Sequence, residues 1–348
     1  MKIFFLNKGL SKLGSNRIFI NNLSNLLNAL GIETKVSSVF STGYNIYIAS
    51  KYSNLTDLIE VKKKQPNSIL GLIHPSDRSS AGKKKINLSD FLICGSRSEK
   101  DYYLKYKKKI IIFPHIEIIN PNLTNPKNNQ INKNKIRLGY HGALEHLIEF
   151  PDELSKALEK ISKEVNLELI VVYDKSLGNW KKPNIKIIEY DWSFENLIRE
   201  MSSVDIGLVP SLRKNNFFRK GLLKNSFLNL TSKSPSNISQ DYLLQYKVTT
   251  NNGRALIFHE LKVPVIADFA PENFIINGDS SCGHLAHSEE GWYEAIKDLA
   301  FNENKRAKLA ENAFQRFNYL YDKKKGCHKF FNRIKKAGEL KETITISK

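Results

Sequence analysis

A turn near residue 250 gathers the side-chain types that bind phosphate groups. Residues 246–254 read Tyr-Lys-Val-Thr-Thr-Asn-Asn-Gly-Arg and directly precede a predicted helix. The backbone N–H groups that open a helix attract anions, and hydroxyl, amide and cationic side chains beside them can hold a diphosphate. The residues predicted to do so are Lys247, Thr250, Asn252, Gly253 and Arg254. An ordinary helix cap with solvated basic side chains would also explain the pattern.

Other candidate binding positions in the same half of the chain lie at or after the ends of predicted strands. Ligands of open α/β sheets bind at the carboxyl ends of the strands, where glycine also lets the backbone approach a ligand closely. The positions that meet this description are Gly139, His141, Gly142, Pro210, Glu272 and Asn273. A tight turn needs glycine for its own sake, so a structural explanation exists for each position taken alone. Together with residues 247–254, these positions predict a binding site for a phosphorylated substrate.

Two histidines end predicted strands in the first half of the chain. They are His74 and His115. A histidine placed there can act as a general base, because its ordinary pKa lies near neutrality. We predict this role for His74, the alternative being a structural histidine. The three cysteines, Cys94, Cys282 and Cys327, show no metal-binding spacing, and no convincing Asp-x-Asp pair is present, so no metal site is predicted.

Short apolar segments alternate with crossover segments along the whole chain. In the first half, strands are predicted at residues 2–6, 44–49, 69–73, 91–94 and 110–113. In the second half, they are predicted at residues 136–140, 167–173, 185–190, 205–210 and 263–267. Strands joined by crossovers form a parallel sheet with helices on its faces. The predicted fold class is α/β, with two doubly wound Rossmann-like domains that face a cleft.

A polar, proline-containing segment separates the two halves and is typical of a linker. We therefore expect an N-terminal domain over residues 1–120, a linker over 121–135 and a C-terminal domain over 136–302. The C-terminal domain carries a long polar insertion at residues 211–242, and a loop of this length is usually functional or mobile. Residues 303–348 are predicted to form helices that return toward the first domain, followed by a tail.

Composition and charge favour a globular protein and do not by themselves indicate nucleic-acid binding. The chain has 348 residues, of which 41% are hydrophobic and 26% are charged, as in a globular protein of two domains. The formal net charge of +19 attracts polyanions, but lysine and asparagine are abundant everywhere, as codon bias in an AT-rich genome produces. A nucleic-acid-binding protein, the alternative from another class, would need a basic stripe with interleaved aromatic residues, and we recognise none.

Hydrophobic segments in the sequence are too short to cross a membrane. No segment approaches the roughly 20 apolar residues that a span requires. The apolar start of the chain reaches Asn7 and Lys8 too early for a signal peptide, so residues 2–6 are interpreted as a strand. A cytoplasmic location is expected.

Residues 139–317 resemble the C-terminal half of GT-B glycosyltransferases of family 4, also called group 1. The first matching segments are Ile-Arg-Leu-Gly-Tyr-His-Gly at 136–142 and Ser-Val-Asp-Ile-Gly-Leu-Val-Pro at 203–210. The resemblance continues through 247–268, with an Asn-Gly-Arg helix start and a Pro-Val-Ile-Ala strand. It then extends through Glu272-Asn273 and Asn277-Gly278 to the last helices.

The resemblance implies an enzyme that moves a sugar from a nucleotide-sugar donor to a glycan, lipid-linked or other cell-surface polysaccharide acceptor. The segments named above then line the donor pocket, and the N-terminal domain holds the acceptor. No metal or other cofactor is implied: Lys247 and Arg254 would stabilise the departing diphosphate, with His74 as the base. Peripheral association with an anionic membrane surface, at the inner face of the membrane, is expected, and no nucleic acid partner is expected.

One departure from the family pattern concerns two glutamates. Retaining family-4 enzymes usually carry two glutamates separated by seven residues, and Thr249 and Ile257 stand at those positions here. The chain therefore resembles a divergent branch, and neither retention nor inversion of configuration is predicted. A catalytically inactive sugar-binding or assembly subunit of the same fold is the alternative.

Overall fold

The structure is a computed structural model that describes residues 1–9, 14–113, 117–124, 135–148, 150–212 and 252–346. The chain divides into two compact units. The first contains residues 1–120, 251–257 and 317–348, and the second contains residues 121–250 and 258–316. Of the predicted C-terminal helices, residues 303–316 group with the second unit and residues 317–348 with the first.

The first unit contains six parallel strands. They are β1 (Ile3–Leu6), β2 (Thr34–Ser37), β3 (Ile46–Ser50), β4 (Ile69–Ile73), β5 (Phe91–Cys94) and β6 (Lys109–Ile112). Their order in the sheet is β2-β1-β3-β4-β5-β6. The helices before residue 120 are α1 (Gly14–Asn16), α2 (Leu23–Ala29), α3 (Leu55–Lys64), α4 (Ser80–Leu88) and α5 (Arg97–Tyr103). A π-helical segment, Arg17–Asn22, joins α1 to α2, and a 3-10 turn, Leu104–Tyr106, follows α5.

Both faces of the first sheet are buried, as is usual for parallel strands covered by helices. Phe5 and Ile48 belong to a core cluster on one face, whereas Phe4 and Tyr47 belong to a cluster on the other. This division follows from the alternation of side chains along a strand. The burial of both faces explains why these strands read in the sequence as continuous apolar segments.

The second unit also contains six parallel strands. They are β7 (Lys135–His141), β8 (Asn166–Tyr173), β9 (Lys186–Asp191), β10 (Ile206–Val209), β11 (Val265–Ala267) and β12 (His284–Leu285), in the order β12-β11-β10-β7-β8-β9. The first helices of this part of the chain are α6 (Leu144–Ile148), α7 (Asp152–Ile161) and α8 (Phe194–Ser202). They are followed by α9 (Gly253–Glu260), α10 (Phe274–Asn277), α11 (Glu289–Phe301), α12 (Glu303–Leu320) and α13 (Lys323–Ile346). Single 3-10 turns occur at Pro121–Leu123, Lys175–Leu177 and Pro271–Asn273.

The last helix, α13, belongs to the first unit. Its side chains Phe330 and Ile334 are buried in the same core cluster as Phe5. The ring of Phe330 lies 5.1 Å from that of Phe113, which follows β6. The end of the chain therefore completes the core of the unit that the start of the chain begins.

The two doubly wound sheets confirm the predicted α/β fold class. Two strands were not predicted, β2 and β12, and both lie at a sheet edge. β2 is only partly buried along its Thr-Lys-Val-Ser sequence, and β12 has two residues. Neither segment has the continuous apolar pattern by which the buried strands were recognised. Within the described residues, no helix is both long and apolar enough to span a membrane.

One buried histidine of α9 has no polar partner. His259 is 0% exposed, and neither of its ring nitrogens has a hydrogen-bond partner among the described residues. Burial disfavours the charged imidazolium and lowers the pKa of His259 to about 3. In the unfolded chain, the same group has a pKa of about 6.5. Below that pH the unfolded state therefore binds a proton that the folded state excludes, so stability is lost as the pH falls from 6.5 toward 3.

We predict that His259→Leu removes this acid sensitivity. The free energy of unfolding of the native chain should fall by about 2 kcal/mol more than that of the variant between pH 7 and pH 5. Denaturant unfolding followed by tryptophan fluorescence measures this, because Trp180, Trp192 and Trp292 all belong to the second unit. His328→Gln, at an exposed histidine of α13, is the control and should keep the pH dependence of the native chain. Equal pH dependence of the native chain and His259→Leu would contradict the prediction.

Candidate functional site

The second sheet brings several of the predicted polar residues to one edge. Its strands run parallel, so their carboxyl ends lie together. β7 and β10 are neighbours, although the chain forms β8 and β9 between them. His141 and Gly142 stand at the carboxyl end of β7, and Pro210 and Ser211 follow β10. The strand order reverses between these two strands, which is where open α/β sheets bind ligands.

His141 is held at this edge by aromatic packing. It is the last residue of β7 and only 5% exposed, and its ring lies 5.2 Å from the ring of Phe258 in α9. Phe258 in turn packs over Gly207, where a Cβ would come within 2.6 Å of the ring. The small residue in β10 therefore lets α9 approach the sheet and support the imidazole.

Gly139 has a packing role rather than a place at the edge. It lies inside β7, two residues before the strand ends. A Cβ at this position would lie 2.7 Å from Cγ2 of Val204 and 3.1 Å from the sulfur of Met201. Close packing on these side chains accounts for the glycine, and its contact with a ligand stays a prediction.

A buried carboxylate joins the loops that follow β10 and β11. Asp268 is 2% exposed, and one of its oxygens accepts hydrogen bonds from the backbone N–H groups of Ser211 and Leu212. The other oxygen accepts from the N–H of Ala270 at 3.2 Å and from the side chain of Asn273 at 3.0 Å. Four donors from two loops therefore converge on one side chain, and they fix the loops relative to each other.

Asn273 and Glu272 lie in the turn that Asp268 organises. Besides its bond to the Asp268 carboxylate, the Asn273 amide donates to the backbone oxygen of Asp268 at 3.0 Å. Both of these bonds of the Asn273 amide therefore go to Asp268, and its predicted contact with the ligand stays a prediction. Glu272, predicted with it, is 5% exposed in the same 3-10 turn.

The predicted phosphate-binding turn at the start of α9 groups with the first unit. Residues 251–257 belong to that unit, whereas the rest of the helix belongs to the second. Asn252 is buried, and its side chain donates to the hydroxyl of Tyr321 at 3.1 Å. Gly253 and Arg254 form the first turn of the helix and are partly exposed. Lys247, Thr250 and His115 lie outside the described residues.

The first sheet places His74 at the carboxyl end of β4. The residue has φ +49°, a left-handed conformation that is uncommon for residues other than glycine. Its N–H donates to the carbonyl of Ile93 at 3.0 Å, and its Nδ1 lies 3.1 Å from the Glu99 carboxylate. The ring also meets Phe19 edge-on at 4.4 Å. This backbone conformation persists because several contacts hold it.

Glu99 was not predicted as a functional residue, and it is 0% exposed. One oxygen lies beside Nδ1 of His74, and the other accepts from the N–H of Gly95 at 2.6 Å. When a carboxylate accepts a proton donated by Nδ1, the neutral imidazole presents its Nε2 lone pair as the basic atom. The sequence feature that could have drawn attention to Glu99 was the Ser96-x-x-Glu99 spacing, which is typical of a capping box. In the structure, however, the Glu99 carboxylate contacts the N–H of Gly95 and Nδ1 of His74.

Among the described residues, no three His, Cys, Asp or Glu side chains converge as metal ligands. The His74–Glu99 pair contributes only two such groups. Asp268 is already surrounded by four donors. Two described polar centres lie at the predicted strand ends: the His74–Glu99 pair in the first unit and the two loops held by Asp268 in the second.

Comparison with other proteins gives matches among solved structures only. No protein-family profile matches the chain, and no curated protein matches it. A glycosyltransferase from Rickettsia africae is 14% identical, with a TM-score of 0.63 over 97% of this chain and 98% of its own. Sucrose-phosphate synthase from Thermosynechococcus elongatus is 11% identical, with a TM-score of 0.62 over 100% of both chains. HepE from Anabaena, in complex with UDP and glucose, is 13% identical, with a TM-score of 0.59 over 99% of both chains.

These likenesses show the fold. The sequence resemblance predicts a GT-B fold, and the comparisons confirm it over essentially the whole chain. The recognisable sequence similarity was confined to the C-terminal half. The structural likeness therefore extends the assignment to the N-terminal half, where the sequence offered few motifs.

We predict that Asp268→Asn lowers the free energy of unfolding of the second unit by about 3 kcal/mol, because buried N–H groups lose a charged acceptor. Hydrogen exchange should speed up at the amides of Ser211 and Leu212. The control is Asp279→Asn, at a carboxylate paired with Arg316 on the surface of the same unit, which should cost less than about 1 kcal/mol. Unchanged exchange at residues 211 and 212 in Asp268→Asn would show that the carboxylate does not hold the β10 loop.

Proposed function

We propose that this chain is a glycosyltransferase that moves a sugar from a nucleotide-sugar donor to a glycan or lipid-linked acceptor. The observation that carries the proposal is the GT-B likeness over the full chain, together with buried polar residues at the switch point of the second sheet. HepE, which has this fold, holds UDP and glucose, so a UDP-sugar is the first donor to test.

The donor side of the site is assigned to the loops of the second unit, and the predicted diphosphate-binding turn before α9 is kept on the sequence pattern. The loops after β7, β10 and β11 would surround the nucleotide-sugar, with Asp268 keeping the latter two in place. Gly253 and Arg254 supply helix N–H groups and a cation for the diphosphate. Lys247 and Thr250 are included on the sequence pattern alone.

Departure of the nucleoside diphosphate builds up negative charge in the transition state. Cations and N–H groups that are already in place stabilise this charge at little reorganisation cost. We assign this role to Arg254, Lys247 and the helix start, so transfer should not require a metal ion. The sugar acceptor then needs a base to remove its hydroxyl proton, and Nε2 of His74 is assigned that task because Glu99 engages Nδ1.

A binding protein without transferase activity is the second candidate. One observation favours it: Ile257, which stands where retaining relatives carry a glutamate, is a buried apolar residue that is 6% exposed. A chain of this kind would bind the donor without breaking the bond between sugar and phosphate. Donor binding and donor turnover must therefore be measured separately.

We predict that UDP-glucose raises the apparent melting temperature of the full chain, because a ligand that binds the native state stabilises it. The shift and the rate of UDP release should both persist in EDTA. Loss of UDP release in EDTA, with recovery on adding manganese, would contradict metal independence. A melting shift without any UDP release would identify the binding protein, and no shift with any nucleotide-sugar would contradict both candidates.

The pH dependence of transfer tests the His74–Glu99 pair. A general base must be unprotonated, so the rate of transfer should fall as the pH is lowered. His74→Asn should remove this acidic limb, and asparagine is chosen because it tolerates left-handed backbone. Glu99→Gln removes the negative charge beside Nδ1, so the acidic limb of the rate should move toward lower pH.

The control for Glu99→Gln is Asp101→Asn, at an exposed carboxylate on the same helix. It should leave the acidic limb in place. A limb that stays unmoved in Glu99→Gln would mean that the carboxylate only supports the fold. A limb that persists in His74→Asn would assign the base to another residue.

A further inference from the structure

A cavity of about 570 Å³ opens in the first unit beyond the His74 turn. Its lining residues are Asp77, Arg78, Lys83, Tyr102, Lys105 and Tyr106. They come from the segment after β4, from α4, and from the end of α5 with its 3-10 turn. The cavity therefore follows the carboxyl end of the strand that carries His74, on the side of the fold assigned above to the acceptor.

The only carboxylate lining this cavity is already occupied. Asp77 accepts hydrogen bonds from the hydroxyls of Tyr102 and Tyr106, each at 3.1 Å, and from the Lys105 ammonium at 2.8 Å. Partial burial acts to raise the pKa of Asp77, but these donors outweigh it and leave the pKa below the ordinary value. Lys105 also lies 3.6 Å from the centre of the Tyr102 ring. Asp77 thus neutralises Lys105 and orders the wall of the cavity.

The other two cations have no such partner. Arg78 and Lys83 are exposed, and within the described residues neither side chain forms an ion pair or a hydrogen bond. Ser79 caps α4, so Arg78 precedes the cap and Lys83 is the fourth helical residue. These are the two positions where helices often place a pair of apolar residues in contact. Here they bring two positive charges to one cavity.

The placement concentrates positive charge at the start of α4. The N-terminus of a helix carries a partial positive charge and is stabilised by acidic residues, which the first turn of α4 lacks. Arg78 and Lys83 instead add like charge beside it. A bound anion would remove this repulsion and would meet two cations and the start of a nine-residue helix together.

We propose that this cavity binds the anionic group of the acceptor, a saccharide that carries a phosphate or a carboxylate, through Arg78 and Lys83. The proposal rests on the proposed function, because the transferase assignment makes a sugar the expected occupant of this unit. In this proposal, the cavity binds the anionic group of the acceptor, and His74 deprotonates the acceptor hydroxyl.

The test compares binding of glucose 6-phosphate and of neutral glucose to the full chain by calorimetry. The native chain should prefer glucose 6-phosphate by at least about tenfold, since charge-assisted hydrogen bonds are worth about 1.5–3 kcal/mol. Arg78→Gln/Lys83→Gln should abolish that preference. Lys63→Gln/Lys84→Gln is the matched control, because it removes the same charge from exposed lysines outside the cavity, one of them adjacent to Lys83. The control should retain the tenfold preference.

Three further measurements separate the possible occupants. Equal affinity for inorganic phosphate and glucose 6-phosphate would overturn the saccharide assignment. A membrane surface would be indicated instead if the native chain bound phosphatidylglycerol vesicles but did not prefer glucose 6-phosphate over glucose. In that case only Arg78→Gln/Lys83→Gln should abolish vesicle binding, and the saccharide assignment would be overturned. Stabilisation by UDP-glucose should be equal in all three proteins. If glucose 6-phosphate binds as expected but no nucleotide-sugar does, the anion site stands and the transferase assignment fails.

Discussion

A carboxylate that leaves water must be met by hydrogen-bond donors, and this requirement shapes the polar edge of both sheets. In the second unit, Asp268 draws together N–H groups from the loops after β10 and β11. In the first unit, Glu99 joins the turn after β5 to the histidine after β4. Each carboxylate converts two separate strand connections into one ordered surface. The surfaces assigned to donor and base depend on these two side chains.

The ordered loops in turn depend on close packing beneath them. Glycines in the strands let neighbouring elements approach: Gly207 admits the ring of Phe258, and Gly71 admits the ring of Phe91. A methyl group at either position would push a buried aromatic ring away from the sheet. The polar residues at the edge are therefore placed by apolar contacts three or four residues deeper along the same strands.

The sequence was sufficient to predict the buried strands. It was insufficient to predict the side-chain contacts between the loops that follow the strands. Strands such as β4 and β5 were predicted at their observed bounds because both faces are buried and the apolar pattern is continuous. The edge strands β2 and β12 lack that pattern. Glu99 and Asp268 could not be recognised, because their partners are distant in sequence: Glu99 meets a residue 25 positions away and Asp268 one 57 positions away. Asn273 was noted for its position after a strand, but the structure gives its amide to Asp268.

The surroundings of α9 explain why no carboxylate stands at position 257. Residues 255–259 are all buried, so this turn of the helix is enclosed on every side. A glutamate in place of Ile257 would be taken out of water and would need its own donors or a cation. The partly exposed residues of this helix are its last one, Glu260, and its first two, Gly253 and Arg254. Polar chemistry on this helix is thus concentrated at its N-terminus, where N–H groups and a guanidinium favour an anion over a developing cation. If the chain transfers sugar, this end of α9 acts on the departing diphosphate and not on the sugar ring.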